Sequence, residues 1–400
     1  MANIIKNIVE SFDSLTKVQK ILVLIILATV VYIGSSSITY SVASRVGFKG
    51  GSLVIDNSGN TSLPGPTTVV EEDAQEPKTE SCPLNGAMKS KKAKSSWEQR
   101  RPLAVMIENH SESRPQSGLS SADVVYEAVA EGGITRFMAL FYCNLSDVQV
   151  GPVRSARTYF LDWLGEYDAL YAHVGVANTP GPADALGQII RYKVKDLNQF
   201  NIGFPVFWRD YQRLGHPVAT EHTMYSTTQK LWEVGAKRGW VATDSAGIRW
   251  EKGFTPWKFK DEKGGGTTAK INVAFWENQS EYSVDWNYDS ASNTYKRQNG
   301  GDAHMDLNNN QQLAPKTIIV QFEKESRAND GYPGNVHLLY GTTGTGKALI
   351  FQDGQVTEGK WVKPSRTARS KYTDSSGKEI ELNKGQIWIQ TVPEGSKVTY

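Results

Sequence analysis

The sequence of 400 residues lacks several features that would point to a class of activity. It has only two cysteines and six histidines, and no histidine pair has the helical spacing with a glutamate that marks a metal site, so no metal is predicted. The pattern G-x-S-x-G is absent, which disfavours the nucleophile elbow of an α/β-hydrolase. Basic residues (44) nearly balance acidic ones (42), so the net charge of +2 gives no reason to expect nucleic-acid binding. No cofactor is expected either.

A long apolar run near the N-terminus is the strongest signal of location. Residues 21–33 are apolar apart from one threonine and one tyrosine, and a weaker apolar stretch follows. The whole run approaches the roughly 20 residues of a spanning helix. Lys17 and Lys20 lie just before it, which favours a cytoplasmic N-terminus. The sequence therefore predicts a cytoplasmic segment at 1–20, a single-pass anchor in the cytoplasmic membrane at 21–43, and an extracytoplasmic remainder.

Small residues and cysteines leave two questions open. Ser41 and Ala43 have the spacing of a signal-peptide cleavage site, so removal of the apolar run is the alternative to an anchor. No cysteine follows that run until Cys82, which disfavours a lipoprotein. Outside the cytoplasm a disulfide between Cys82 and Cys143 is one option. Two free thiols, or a Cys143 that is simply buried in a strand, are the others.

Composition divides the remaining chain into three parts. Residues 44–97 are rich in Gly, Ser, Thr, Pro and charged side chains, which predicts a flexible, disordered linker. Residues 98–245 alternate strand and helix patterns, which predicts an α/β domain. Residues 246–400 show short alternating runs separated by Gly, Asn and Asp, which predicts a mainly antiparallel β domain.

Local patterns place the main elements. "LAVMI" reads as a buried strand, and the two strands that follow are joined by Gly132 and Gly133, which suit a hairpin turn. "GPVRSAR" opens a helix. The segment "GTTGTGKA" resembles a phosphate-binding loop, but alanine follows its lysine and a strand pattern follows in place of a helix. We therefore interpret that segment as a β-turn.

Two arginines at the start of the predicted helix suggest a site. Arg154 and Arg157 lie at its N-terminal end, where the helix dipole disfavours cations and favours anions. Either they reach carboxylates elsewhere in the fold, or they hold an anion together with free backbone N–H groups. The neighbouring charges also have a structural interpretation. Glu127, Glu131 and Arg136 would form an internal ion-pair network that holds the hairpin against this helix.

Several multi-residue motifs resemble a known family. "RPLAVMIENHSESRPQSGLSSADVVYEAVAEGGITRFMALF", "GPVRSAR", "EHTMYST" and the β-rich C-terminal segment are similar to the YerB-like family of envelope proteins, domain of unknown function 3048. The resemblance covers about residues 80–400. It implies two exported domains held at the cytoplasmic membrane, commonly as lipoproteins, and it supplies no activity.

Three functional hypotheses follow from these residues. The leading one is an extracytoplasmic protein that binds an anionic ligand, such as a wall polymer, a glycan phosphate or a carboxylate. The predicted ligand-binding residues are Arg154, Ser155, Arg157, Asn109, Arg114, Arg136 and Tyr225.

The first alternative is a hydrolase or transferase of envelope polymers. His222 or His110 would be its general base, and Asp123 or Glu131 would orient that histidine. The second alternative is a scaffold for a membrane complex, with the β domain contacting a membrane-protein partner.

Overall fold

The structure is a computed structural model that describes residues 76–144 and 146–400. Within those residues no helix is both long enough and apolar enough to cross a membrane. The predicted cytoplasmic segment at 1–20, the predicted anchor at 21–43 and most of the predicted linker lie outside the described residues.

The folded region begins before residue 98, where the sequence predicts its start. Strands β1 (Lys78–Ser81) and β2 (Met88–Ser90) form an antiparallel hairpin, and helix α1 (Lys91–Trp97) follows directly. The Ser90 side chain accepts a hydrogen bond from the backbone N–H of Ala93, which caps α1. The last 20 or so residues of the predicted linker are therefore folded.

A disulfide explains why a segment poor in large apolar residues is ordered. Cys82 and Cys143, whose pairing the sequence left open, are bonded, and both are fully buried. Close by, the ring of Trp97 packs against Tyr142 with 6.3 Å between centroids. The covalent bond and this aromatic contact hold the first hairpin and α1 against the rest of the fold.

The region predicted as an α/β domain contains eight strands and four short α-helices. The strands are β3 (Leu103–Glu108), β4 (Val124–Glu131), β5 (Ile134–Phe141), β6 (Gln149–Val150), β7 (Leu170–His173), β8 (Lys195–Asn198), β9 (Trp208–Arg209) and β10 (Met224–Thr227). The helices are α2 (Thr158–Leu164), α3 (Ala185–Arg191), α4 (Gln199–Ile202) and α5 (Thr228–Lys237). Single turns of 3₁₀ helix occur at Ser111–Ser113, Leu119–Ser121 and Thr220–His222.

The predicted hairpin and helix are present. Strands β4 and β5 pair antiparallel across Gly132 and Gly133, whose φ angles of 59° and 85° suit glycine. Helix α2 begins at Thr158 directly after "GPVRSAR", and its buried residues include Tyr159, Phe160 and Trp163. The predicted strand at "LAVMI" is β3, which is buried along its whole length.

The remaining described chain is mainly β. Its strands are β11 (Phe259–Lys260), β12 (Lys270–Val273), β13 (Val284–Asp289), β14 (Thr294–Asn299), β15 (Asp302–Ala303), β16 (Met305–Asp306), β17 (Gln311–Gln312), β18 (Thr317–Glu323), β19 (Glu325–Arg327), β20 (Leu338–Tyr340), β21 (Gly344–Gln352), β22 (Gln355–Lys363), β23 (Lys371–Thr373), β24 (Leu382–Asn383), β25 (Ile387–Pro393) and β26 (Val398–Thr399). Turns of 3₁₀ helix occur at Trp250–Gly253, Ser280–Tyr282 and Pro333–Asn335. The prediction of a β-turn in "GTTGTGKA" is wrong, because β21 begins at Gly344 and pairs with β22 from its first residue.

One ten-stranded sheet joins both regions. Its order is β23-β22-β21-β18-β25-β4-β5-β3-β7-β8. Strand β25, close to the C-terminus, lies between β18 and β4 and is parallel to both. The regions predicted as two domains therefore share a continuous sheet. A five-stranded sheet, β15-β14-β13-β12-β26, packs against it where Trp286 meets Trp388 with 5.4 Å between ring centroids.

Candidate functional site

Three chain segments meet at the carboxyl end of β3, which is where ligands of α/β sheets usually bind. The backbone N–H of Glu108 donates to the carbonyl of Pro152 over 2.9 Å. One residue later, the N–H of Val153 donates to the carbonyl of Met224 over 2.7 Å. The end of β3, the segment before α2 and the 3₁₀ turn Thr220–His222 are thereby held side by side.

Five side chains come together at this junction: Glu108, His110, Glu112, Arg154 and His222, here called the histidine cluster. Glu108 is buried and lies at its centre. Its Oε2 is 2.8 Å from Nδ1 of His222, and its Oε1 is 3.0 Å from Nε of Arg154. A single carboxylate therefore contacts both Arg154 and His222, two of the side chains that the sequence singled out.

The solvent side of the histidine cluster is formed by His110 and Glu112. The His110 ring stacks on the His222 ring, with centroids 4.7 Å apart and planes inclined by 21°. Nδ1 of His110 accepts a long hydrogen bond of 3.3 Å from the Glu112 N–H. Glu112 Oε2 lies 3.6 Å from Nε2 of His222, and the Glu112 side chain is 58% exposed. His222 itself is only 5% exposed.

The contact with Glu108 decides how His222 presents its ring. A carboxylate only accepts hydrogen bonds, so Nδ1 of His222 carries the proton, and in the neutral ring Nε2 holds the lone pair. The hydrogen bond to Glu108 raises the pKa of His222, while burial and the charge of Arg154 oppose that rise. The free nitrogen of His222 faces Glu112.

Arg154 is the arginine that remains available to a ligand. Its contact with Glu108 has the distance of an ion pair, but the N–H is not aligned for a hydrogen bond. Among residues 76–144 and 146–400 no side chain or carbonyl is hydrogen-bonded to its two Nη atoms, and the side chain is 25% exposed. The Glu221 carboxylate is electrostatically close. Its own backbone N–H lowers its pKa most, and against burial His222 and Arg154 lower it further.

Arg157, in contrast, is not available to bind a ligand. It is the N-cap residue of α2, but its guanidinium donates to Glu131 Oε2 over 2.8 Å and to the carbonyl of Ala156. Arg136 donates to the other Glu131 oxygen over 3.0 Å and to the carbonyl of Ser155. Burial alone would raise the pKa of Glu131, but Arg136 and Arg157 outweigh it and lower that pKa to about 2.

The paired-arginine prediction is therefore corrected. The internal ion-pair reading holds for Arg157 and Arg136, because each is at most 7% exposed and each is directed at Glu131. The dipole of the seven-residue helix α2 does not prevent this arrangement, because the Arg157 guanidinium turns back toward Glu131 at the end of β4.

Asn109 and Arg114, which were predicted to bind a ligand, join the two halves of the fold. Asn109 is fully buried and donates to Thr135 over 2.7 Å and to Asn299 over 2.9 Å. Arg114 donates to the side chain of Asn109 and to the carbonyl of Glu281. Burial lowers the pKa of Arg114. Both side chains have structural partners.

The three other predicted site residues also have identifiable surroundings. Asp123 accepts hydrogen bonds from the backbone N–H groups of Tyr142 and Cys143, so it supports the disulfide and does not orient a histidine. The carbonyl of Ser155 is used by Arg136. Tyr225 is fully buried, its hydroxyl has no hydrogen-bond partner among the described residues, and burial raises its pKa.

Two groups of side chains within the described residues combine donors of the kind that bind metals. Cys82, Asp123 and Cys143 form the first, but their sulfurs are consumed by the disulfide. His110, Glu112 and His222 form the second, with donor atoms within 4.8 Å of one another. Motif analysis predicted no metal site because these residues come from two distant loops, and only the fold brings them together.

Sequence reasoning assigned no role in the site to Glu108 or Glu112. It assigned the orienting role to Asp123 or Glu131, whereas the structure places Glu108 against His222. A signal was present, because Glu108 is the last residue of a buried strand and an acidic residue there must find a partner. Glu112 follows His110 by two residues at a single 3₁₀ turn, and a pair at that spacing is not by itself a metal-binding motif.

Comparisons with known proteins agree with this fold. The N-terminal domain of a protein of unknown function, DUF3048, matches residues 86–241, and the corresponding C-terminal domain matches residues 271–389. The chain is 30% identical over 316 residues to "Putative lipoprotein YerB" of Bacillus subtilis, which covers 78% of this chain and 86% of that protein.

A solved structure shows the same architecture. The crystal structure of the YerB protein from Bacillus subtilis aligns with a TM-score of 0.66 at 27% sequence identity. The alignment covers 80% of this chain and all of that one. The resemblance predicted from the sequence is confirmed, and the chain belongs to the DUF3048, or YerB-like, family.

Proposed function

We propose that this chain is an extracytoplasmic protein of the cell envelope that binds an anionic ligand at Arg154. The lipoprotein designation in its relative's name supports membrane attachment outside the cytoplasm. The buried Cys82–Cys143 disulfide suits an oxidising compartment. The predicted anchor at 21–43 gives this chain its own means of attachment.

The state of Arg154 carries the binding proposal. Of the two arginines predicted at the helix start, Arg157 is held by Glu131, whereas Arg154, which lies in the segment before α2, keeps both Nη atoms without a hydrogen-bond partner in the described chain. A guanidinium binds phosphate or carboxylate through two parallel N–H donors. Glu108 Oε1 lies 3.0 Å from Nε of Arg154, and the Arg154 side chain is 25% exposed. A wall-polymer phosphate, a glycan phosphate or a peptide carboxylate has the matching chemistry.

Binding of inorganic phosphate to the full chain in detergent, with a chelator present, tests this proposal. Arg154→Gln should weaken phosphate binding by about tenfold or more, because a charge-assisted bidentate contact is lost. Arg191→Gln is the matched control, since Arg191 lies in the last turn of α3 away from the histidine cluster. Equal phosphate affinities in the parent and Arg154→Gln chains would rule out the assignment.

A second function is favoured by one contact. Nδ1 of His222 donates a 2.8 Å hydrogen bond to Glu108, which leaves Nε2 as the basic nitrogen and is how a carboxylate prepares a histidine to act as a general base. Arg154 would then stabilise negative charge in the transition state of hydrolysis or transfer. Turnover of labelled envelope polymer that is lost in His222→Gln and retained in His216→Gln would favour this function over binding alone.

A further inference from the structure

The spacing of three side chains in the histidine cluster fits a metal ion. Bonds of about 2.0–2.2 Å from a tetrahedral metal to nitrogen and oxygen place neighbouring donor atoms about 3.3–3.6 Å apart. Nε2 of His222 and Oε2 of Glu112 are 3.6 Å apart, which is longer than a good hydrogen bond and suits two ligands of one ion. A His110 nitrogen completes the group within 4.8 Å.

The surroundings of His222 match those of a metal-ligating histidine. Such histidines donate their second ring N–H to a carboxylate, which fixes the tautomer and the direction of the lone pair. Glu108 accepts that bond from Nδ1, and it is itself buried and in contact with Arg154. Nε2, which then holds the lone pair, lies 3.6 Å from Oε2 of Glu112.

The remaining ligands can adjust. Glu112 is 58% exposed, and His110 is half-buried at the start of a single 3₁₀ turn. Moving their donor atoms by about 1 Å reaches the tetrahedral spacing. His110 would give up its long 3.3 Å bond from the Glu112 N–H, and its ring would turn out of the stack on His222 so that both lone pairs reach one ion.

The local charges favour a cation. Glu108 and Glu112 belong to the histidine cluster and Glu221 is electrostatically close to it, whereas Arg154 is its guanidinium. With both histidines neutral, the carboxylates exceed the fixed positive charge. An ion with two positive charges would balance them.

We infer that His110, Glu112 and His222 bind a divalent transition-metal ion of the zinc type. Imidazole nitrogens with one carboxylate suit such ions better than calcium or magnesium, which prefer oxygen ligands. Three protein donors would leave the fourth position of a tetrahedral ion open. The inference goes beyond the proposed function, because phosphate binding by Arg154 does not require Glu112 or His110.

Calorimetric titration of the chelator-treated full chain with Zn²⁺ tests the inference. We expect saturable binding of one equivalent and, with Co²⁺, the visible absorption of a four-coordinate ion. Glu112→Gln and His110→Gln should each weaken Zn²⁺ binding by about tenfold or more. His216→Gln is the matched control, because His216 is exposed and, among the described residues, its ring is hydrogen-bonded only to the neighbouring Pro217 carbonyl.

Two outcomes would overturn the metal site. One is the absence of saturable Zn²⁺ binding by the parent chain. The other is Zn²⁺ affinity that is unchanged in both Glu112→Gln and His110→Gln. Because Glu112 is a solvent-facing side chain, loss of folding does not confuse its result, and a circular dichroism spectrum verifies the fold of each variant. Phosphate binding in chelator is measured separately, so a failure of the metal site leaves the Arg154 result intact.

Discussion

Glu108 organises the candidate site at the level of single residues. One of its carboxylate oxygens accepts a hydrogen bond from Nδ1 of His222, and the other contacts Arg154. The sequence predicted that Arg154 and His222 matter, but it could not predict their shared partner. The position of Glu108 at the end of a buried strand predicts that it is buried, but it does not predict which loop covers it. That information depends on the path of the chain between β3 and the turn at Thr220–His222.

Glu108→Gln should lower the pKa of His222. The hydrogen bond to Glu108 is the largest cause of its raised value, and without Glu108 the charge of Glu221 is left to oppose burial and Arg154. In the parent chain this pair stabilises the fold most below the ordinary histidine pKa of 6.5, and the contribution is lost as the pH rises through the raised pKa. NMR titration of the His222 ring protons measures the change, with the His216 ring as internal control. An unshifted His222 curve would contradict this account of the site.

Glu131→Gln should remove the part of the unfolding free energy that falls as the pH becomes acidic. The pKa of Glu131 is lowered from 4.5 to about 2, so its contribution is complete above 4.5 and is lost as the pH falls toward 2. The shift corresponds to an upper bound of about 3 kcal/mol, reduced by partial exposure. Denaturant unfolding at pH 7 and pH 3 should show a destabilised variant at pH 7 and a smaller difference at pH 3. A difference that does not depend on pH would contradict the ion-pair network.

At the level of elements, the β4–β5 hairpin was the part most readily predicted from sequence. Two apolar runs and a pair of glycines specify it locally, and the structure has those glycines in the left-handed region. Helix α2 was predicted from its apolar spacing for the same reason. The direction of Arg157 was not predictable, because Glu131 belongs to another element and the dipole rule considers the helix alone.

Gly133→Ala should destabilise the fold more than Gly132→Ala. A Cβ at Gly133 would lie 2.4 Å from Cγ of Gln279, whereas a Cβ at Gly132 meets nothing within 4 Å. Both positions have positive φ, which costs about 1–2 kcal/mol for alanine. We expect about that loss at Gly132 and a larger one at Gly133, measured by denaturant unfolding. Equal losses would show that the hairpin does not pack on the Gln279 loop as described.

For the whole molecule, the shared sheet was the feature that the sequence could not reveal. Composition changes near residue 245, and this favours two domains. Strand β25, however, returns from the C-terminus to pair with β4. Local patterns identify the strands, but pairing between strands so far apart in the chain leaves no local signal. The linker's folded end was missed for a similar reason, since Cys143 supplies its main support.

Arg297→Met should destabilise both halves of the fold together. Arg297 is fully buried, donates to Glu127 over 2.7 Å and lies among the rings of Phe137, Trp286 and Trp388. Removing one partner of a buried ion pair costs about 3–5 kcal/mol, because the other charge is left buried.

We expect a single unfolding transition at lower denaturant concentration for Arg297→Met. The double variant with Glu127→Gln should recover part of the loss, since no charge is then stranded. Two separate transitions in the parent chain would argue against this central ion pair. So would a double variant whose loss of unfolding free energy equals the sum of the losses of the two single variants.

The most direct test of the account is an anomalous difference map from crystals of the chain grown with Zn²⁺ and phosphate. We predict one strong zinc peak at about 2.0–2.2 Å from His110, Glu112 and His222. Phosphate oxygens should lie within hydrogen-bonding distance of the Arg154 guanidinium. A histidine cluster that stays empty at saturating zinc and phosphate, with both ligands elsewhere or absent, would contradict the claim that this junction is the ligand site.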